Sequence, residues 1–474
     1  MGEAKSYFFV GIGGSGMLPL AMIVRAQGAI VAGSDRMLDQ GRLAPKFDDL
    51  KRQGIALFPQ DGSGLTSPDQ ILVASAAVEE TVPDMVKAKA LGLRQITRAE
   101  LLAELFNAAP VSVAVAGTSG KSTVTGMIGW ILHAAGRDPT VMNGAVMKNF
   151  ATAEAPFASA LVGKGEVFVS EVDESDGSIS LYRPTVAVLN NVSIDHKSIE
   201  ELRQLFGDFI AHDSWVIVNE DDREAAALLA EREPMLSLTF SVDGTPAPTN
   251  LVATNLVEEP FGISFDLIDA TMPVGRVRLR VPGRHNVYNA LAALSAAGGA
   301  GVVLPEAMAA IEGFTGLRRR FELVGEANGI RVIDDFAHNP DKIAATLRTL
   351  HAFPGRLLVF FQPHGYGPLR TMGAELIDTF VHELAPDDVL IMPDPVYYGG
   401  TTDKSVGSGE IAAGVADRGR RAEHVPDRVA CAARLAELAQ PGDRIVVMGA
   451  RDDTLTLFAE DVLARLTPFS SPRT

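Results

Sequence analysis

Apolar positions along the first hundred residues recur with two different periods. Short apolar runs at 7–10, 29–32, 71–74 and 93–96 have the length of buried strands, while 17–27 and 83–91 repeat at helical spacing. Strands alternating with helices predict a parallel sheet with crossover helices. Asn107-Ala108-Ala109-Pro110 interrupts the pattern and reads as a linker. A second block opens on the apolar run Val111–Ala116 and continues the alternation to about residue 316. Within it, 236–282 changes texture: Val277, Leu279 and Val281 interleave with Arg276, Arg278 and Arg280, the period of a half-exposed strand. A small antiparallel β insertion is expected there, followed by a helix over 289–297. The third block has strand runs at 331–333, 357–361, 389–392 and 444–448, with helical segments between them. The pattern therefore predicts an α/β protein of three domains, 1–109, 110–316 and 317–474. The first and last are Rossmann-like, and the middle one is a phosphate-loop domain with the β insertion.

Composition narrows the classes. A length of 474 residues exceeds what one core supports, which agrees with two or three domains. The formal charge of −17 argues against a broad nucleic-acid surface or docking on an anionic membrane, though a few local donors still suffice for a small anion. Cys431 is the single cysteine, so no intramolecular disulfide forms. With no basic, apolar leader at Met1 and no stretch of transmembrane length, a cytoplasmic protein without membrane insertion is expected.

Gly117-Thr118-Ser119-Gly120-Lys121-Ser122-Thr123 follows a strand run and precedes a helix with the apolar face Met127, Ile128, Ile131, Leu132 and Ala135. Glycines there let backbone N–H groups surround phosphate oxygens, and the helix N-terminus adds positive partial charge. Lys121 would reach the β- and γ-phosphates of ATP and Ser122 would bind Mg²⁺. The loop is shorter than the full phosphate-loop spacing, so alone it also fits an ordinary glycine-rich turn. Carboxylates for a magnesium site stand at two strand ends, in Glu171-Val172-Asp173-Glu174-Ser175-Asp176 and in Asn190-Asn191-Val192-Ser193-Ile194-Asp195-His196. In open α/β sheets such positions face the ligand, which makes Glu171 and His196 candidate ligands beside Ser122.

A second glycine motif, Gly11-Ile12-Gly13-Gly14-Ser15-Gly16, sits between a strand run and a helix, with Ser34 and Asp35 ending the next strand. It would let a pyrophosphate approach a helix N-terminus. NAD, FAD and a nucleotide-sugar diphosphate all meet that description, and a ligand-free tight turn does too.

In this order the motifs resemble the Mur ligases of peptidoglycan synthesis over nearly the whole chain, closest to the alanine-adding branch and its tripeptide-ligating relative. By that resemblance Gly11, Gly13, Gly14, Gly16 and Met17, closed by Ser34 and Asp35, would hold UDP. Residues Gly117, Thr118, Ser119, Gly120, Lys121, Ser122 and Thr123 would hold ATP. Glu171 and His196 would join Ser122 at the metal. Gly283-Arg284-His285-Asn286-Val287-Tyr288-Asn289 is similar to the family stretch whose last asparagine, Asn289, contacts adenine. Arg320 would reach the ATP phosphates, Asp335 the ribose and His338 the active-site cleft. The resemblance implies an ATP- and Mg²⁺-dependent ligase that activates the carboxylate of UDP-N-acetylmuramate as an acyl phosphate. Lys121, Arg320 and His338 would be its catalytic residues. L-alanine would be the amine, with a tripeptide as the alternative; a non-catalytic regulator is a further reading. No nucleic-acid partner is implied, and the protein would be a monomer or homodimer. Several positions depart from the family pattern. Ser119 and Ser122 stand for histidine and threonine, and Lys197-Ser198 follow His196; the helix over 202–210 has no lysine for the carbamylation that several relatives use, which agrees with the alanine-adding branch. Phe361-Gln362-Pro363-His364 continues with Gly365-Tyr366-Gly367-Pro368, where the alanine-adding enzymes carry arginine and threonine.

Overall fold

A computed structural model describes residues 4–75, 78–193, 197–211, 214–232, 236–248, 250–396, 403, 405–450, 452 and 454–466. The chain divides into two compact units, Met1–Leu317 and Arg318–Thr474. Strands among the described residues form three sheets, two in the first unit and one in the second.

The first sheet contains β1 (Ser6–Val10), β2 (Ile30–Ser34), β3 (Ala56–Phe58), β4 (Gln70–Ala74) and β5 (Arg94–Thr97). All pairs are parallel, in the order β3-β2-β1-β4-β5. Growth of the sheet reverses beside β1, and ligands of open α/β sheets bind beyond the carboxyl ends of strands at such a reversal. The loop Gly11–Gly16 emerges there and leads into the helix Met17–Ala26. A second helix, Arg98–Asn107, starts at a capping box in which Thr97 accepts from the Glu100 amide and the Glu100 carboxylate accepts from the Thr97 amide.

The residues expected to form a linker are bonded in place. Asn107 Nδ2 donates to Leu181 O at 2.9 Å, and Asn107 Oδ1 accepts from Arg183 N at 2.8 Å. Phe106 packs edge-on against Phe168 (5.7 Å between centroids) and Tyr182 (5.3 Å). One apolar cluster consequently runs from Tyr7 to Leu228 beneath both sheets.

The second sheet comprises β6 (Val111–Ala116), β7 (Thr140–Met142), β8 (Ala160–Leu161), β9 (Val167–Glu171), β10 (Val186–Leu189), β11 (Trp215–Asn219), β12 (Leu236–Val242), β13 (Asn250–Glu259), β14 (Gly262–Asp269) and β15 (Met272–Leu279). Its order is β15-β14-β13-β12-β11-β10-β6-β9-β7-β8. Helices Lys121–Ala134 and Arg284–Gly299 contribute Val124, Ile128, Ile131, Leu291 and Leu294 to an apolar cluster with Val113, Val115, Val186 and Val188. The β insertion differs from expectation in extent. β12 pairs parallel to both β11 and β13, so within this stretch only the β13–β14 and β14–β15 pairs are antiparallel; β7–β8 is a further antiparallel pair elsewhere in the sheet. They continue the main sheet, because Phe265, Val277 and Leu279 share the apolar cluster of Val186 and Val188.

The second unit holds β16 (Glu322–Ala327), β17 (Ile330–Asp335), β18 (Leu357–Gln362), β19 (Val389–Met392), β20 (Arg421–His424) and β21 (Arg444–Gly449). The order is β16-β17-β21-β18-β19-β20, and only the β16–β17 pair is antiparallel. The edge strands β3, β16 and β20 were not expected. β16 and β20 carry charged residues, which protects an edge from pairing with another chain and weakens the apolar signal, and β20 reads Arg-Ala-Glu-His; β3, Ala-Leu-Phe, is apolar but only three residues long.

Candidate active site

The loop 117–120 joins β6 to the helix Lys121–Ala134, and the neighbouring strand end fixes its shape. Asn191 clamps it with three bonds: its carbonyl accepts from Thr118 N (3.1 Å), its Oδ1 from Ser119 N (2.8 Å), and its Nδ2 donates to Ser119 O (2.9 Å). Gly120 has φ +84°, and a Cβ there would lie 2.5 Å from Asn289 Oδ1 and 2.6 Å from Asn190 Nδ2. Conformation and space therefore both demand glycine at this position. Asn190 Nδ2 donates to Asn289 Oδ1 at 3.1 Å, which places the adenine candidate Asn289 directly behind the loop.

Two charged contacts mark the head of this helix. Lys121 Nζ donates to Gly117 O and to Glu174 Oε2, both at 2.8 Å. Ser122 Oγ donates to Glu171 Oε2 at 2.7 Å. Glu171 has its other oxygen against Gly144, where a Cβ would sit 2.2 Å from Oε1. A hydroxyl and a carboxylate converging this way are hard oxygen donors of the kind Mg²⁺ prefers. His196, the third expected ligand, lies outside the described residues, and no group of three or more His, Cys, Asp or Glu gathers among the described ones. Burial works against the charged form of Asp173, but donation from Ser175 and the Lys121 charge outweigh it and hold its pKa below the usual carboxylate value.

The loop Gly11–Gly16 is stabilised differently. Gly11 N and Ile12 N donate to Ser34 O, at 2.8 and 3.0 Å. Asp35 accepts from Gly13 N through Oδ2 and from Met37 N through Oδ1, both at 2.8 Å, so its carboxylate serves the loop and caps the helix Arg36–Asp39. Ser34 is fully buried, and its hydroxyl donates to Asp84 Oδ2 at 2.6 Å, inside the core. Asp84 also accepts from Gly62 N at 2.8 Å, and burial pushes its pKa up. Met17 is buried in the first turn of its helix, with its side chain beside Gly14.

In the second unit, the three candidates lie at the carboxyl end of β17 and just before β16. Arg319 and Phe321 both have positive φ, at 58° and 49°, on either side of Arg320. The Arg319 side chain is buried on Asp334, Asp452 O and Gly449 O, while the Arg320 guanidinium stacks 4.6 Å from the centre of the Phe336 ring. Asp335 accepts from Phe321 N (3.1 Å), Phe336 N (2.9 Å) and the Thr346 hydroxyl. His338 Nδ1 donates to Phe336 O at 2.8 Å, and its ring meets that of His364 at 5.5 Å. Gln362 holds the turn after β18 by donating to Pro363 O and Asp394 O and accepting from Arg428 Nε.

Sequence reading passed over several residues that organise these sites: Arg98, Glu174, Asn190, Asn191 and Arg428. Glu174, Asn190 and Asn191 stood inside runs already singled out. Arg98 and Arg428 carried no motif around them.

Three family models match the chain: "Mur ligase family, catalytic domain" over 6–109, "Mur ligase middle domain" over 115–297, and "Mur ligase, glutamate ligase domain" over 319–451. The chain belongs to the Mur ligase family. This Mur ligase is 36% identical over 486 residues to a UDP-N-acetylmuramate–L-alanine ligase of Mycolicibacterium vanbaalenii, covering 98% of this chain and 97% of the relative. It is 34% identical to the enzyme of that name from Geobacter sp. (strain M21), over 95% of each chain. Two solved structures share the fold at 24% identity. MurC from Thermotoga maritima has a TM-score of 0.78 and covers 97% of this chain and 98% of that one. A murein peptide ligase from Psychrobacter arcticus has a TM-score of 0.71 and covers 99% and 100%. As a Mur ligase the chain is an ATP-dependent ligase, which sets aside NAD and FAD as readings of Gly11–Gly16. No described helix is long and apolar enough to cross a membrane.

Proposed function

We propose that this Mur ligase joins L-alanine to the carboxylate of UDP-N-acetylmuramate, with ATP converted to ADP and phosphate, in the cytoplasm. The reading is carried by the convergence of Lys121, Ser122 and Glu171 at the head of one helix. The full-length relatives supply the amine and the sugar nucleotide. Residues 1–109 would bind the UDP-sugar, 110–316 ATP, and 317–474 the amine and part of ATP.

A carboxylate oxygen of the muramyl group attacks the γ-phosphorus, and ADP leaves with the β–γ bridging oxygen. The amine then adds to the acyl carbon, phosphate departs, and the amine proton passes to solvent. Lys121 exchanges Glu174 for the β- and γ-phosphates, and Arg320 adds charge against the transferring group. Ser122 and Glu171, with His196, would hold Mg²⁺, which when bound offsets the charge on the phosphate oxygens. His338 would orient the amine. Asn289 and Asp335 would hold adenine and ribose. Gly11, Gly13, Gly14 and Gly16 receive the diphosphate, while Met17, Ser34 and Asp35 act by shaping that loop.

A second amine is favoured by one feature. Gly365 precedes the helix Tyr366–Glu383 with φ +147°, a conformation closed to the arginine that alanine-adding enzymes carry at this point. A peptide amine fits such an opened position. Phosphate release from ATP and UDP-N-acetylmuramate, measured with L-alanine and with a tripeptide, tests both readings. Release with neither amine, nor with any other amino acid, overturns the ligase assignment.

A further inference from the structure

Gly16 opens the helix Met17–Ala26 with φ −95°, a conformation that any residue adopts, and no side chain caps that end. What lies against this end of the loop is the side chain of Arg98. A Cβ would meet Arg98 Cδ at 3.0 Å, Nη1 at 3.3 Å and Nε at 3.4 Å, so the Arg98 guanidinium lies flat against the end of the loop. Its recorded ion-pair partner is Asp176 Oδ2 at 3.4 Å, long for a charge-assisted bond. The arrangement repeats two residues earlier in the same turn, where Glu174 holds Lys121. One acidic turn thus carries a cation of each glycine loop.

The first loop has particular need of such a cation. Asp35 places a negative charge on its amides through the Gly13 N–H bond, and Lys46 Nζ is turned toward Gly13 O at 3.1 Å. A diphosphate entering beside a carboxylate requires a compensating positive group, and a guanidinium supplies one with paired donors.

Resting on the assignment of Gly11–Gly16 to a UDP-sugar, we propose that Arg98 is the side chain that takes the diphosphate, giving up Asp176 as it does so. The test is binding of UDP by calorimetry, and of uridine by ligand-observed NMR, to full-length wild type, Arg98→Ala, Arg98→Lys and Asp176→Asn. Charge-assisted bonds of this kind correspond to about 10- to 100-fold in affinity. Arg98→Ala should therefore weaken UDP by that factor, leave uridine unchanged, and leave ATP affinity within about twofold. Arg98→Lys should recover part of the loss, and Asp176→Asn should tighten UDP. Equal losses for UDP and uridine, or unchanged UDP affinity in a folded Arg98→Ala, would overturn the role and leave Arg98 a bridge between the two sheets. Failure of wild type to bind UDP or uridine would instead remove the UDP-sugar reading, and the Arg98 role with it.

Discussion

The two glycine loops of the first unit, each proposed to receive a phosphate at a helix N-terminus, are held with opposite electrostatics. The loop 117–120 is held by a neutral clamp, Asn191, and carries its cation within the motif, at Lys121. The loop Gly11–Gly16 is held by an anionic clamp, Asp35, and its cations come from outside the motif: Lys46 at Gly13 O and, in the role proposed above, Arg98, 82 positions after Gly16. A neutral clamp leaves the positive field of the helix end undiminished, which suits a triphosphate whose terminal group must change charge during reaction. An anionic clamp weakens that field and suits a ligand that is only held.

The comparison breaks most sharply at Lys121. Lys121→Ala should lower the phosphate-release rate by about a thousandfold or more, with UDP affinity unaltered by calorimetry. A comparable loss of UDP binding would mean that the loops are not separately served. Glu171→Gln should cost about a hundredfold in rate and be partly rescued by raised Mg²⁺, read from the metal dependence of phosphate release; loss without metal rescue would leave Glu171 only as the Ser122 acceptor. Asp35→Ala removes a helix cap and the Gly13 acceptor. A fall in stability of about 1–2 kcal/mol by denaturant unfolding is expected, with little change in the KM for ATP.

The smallest effect concerns Asp84, whose pKa is raised by burial under Ser34. A raised folded-state value means that the native protein keeps this proton where the unfolded chain has lost it. Stability from this group is then present at low pH and declines as pH rises from the unfolded value through the folded one. Asp84→Asn should flatten that part of the stability–pH curve, and an unchanged slope would show that Asp84 is ionised throughout.

The same contrast explains what the sequence made legible. Lys121 and Ser122 are adjacent to the glycines they serve because helix geometry delivers them there, so a local pattern finds them. Strands with buried faces, such as β1, β6 and β18, announced themselves by apolar runs. Arg98, Asp84 and Arg428 reach their partners through the packing of separate elements, and nothing in their neighbours marks them. Ser34 stands at the expected place, but its hydroxyl points into the core, a direction set by the tertiary position of Asp84. The polar edges β16 and β20 lacked any periodic signal.

Phe106, wedged against Phe168 and Tyr182, has a thermodynamic consequence. Because the cluster that holds Met17 and Leu18 also takes in Ala114 and Ala116 of β6, the strand leading into the loop 117–120, the two loops share part of one core, while the helix Lys121–Ala134 packs in a second cluster. Each ligand that binds the native form lowers its free energy relative to the same unfolded state, so a sugar nucleotide and ATP, bound as proposed, would suppress the same unfolding of that shared core. Either one would thereby shield the other's loop from proteolysis that proceeds through that unfolding, with no contact between the ligands.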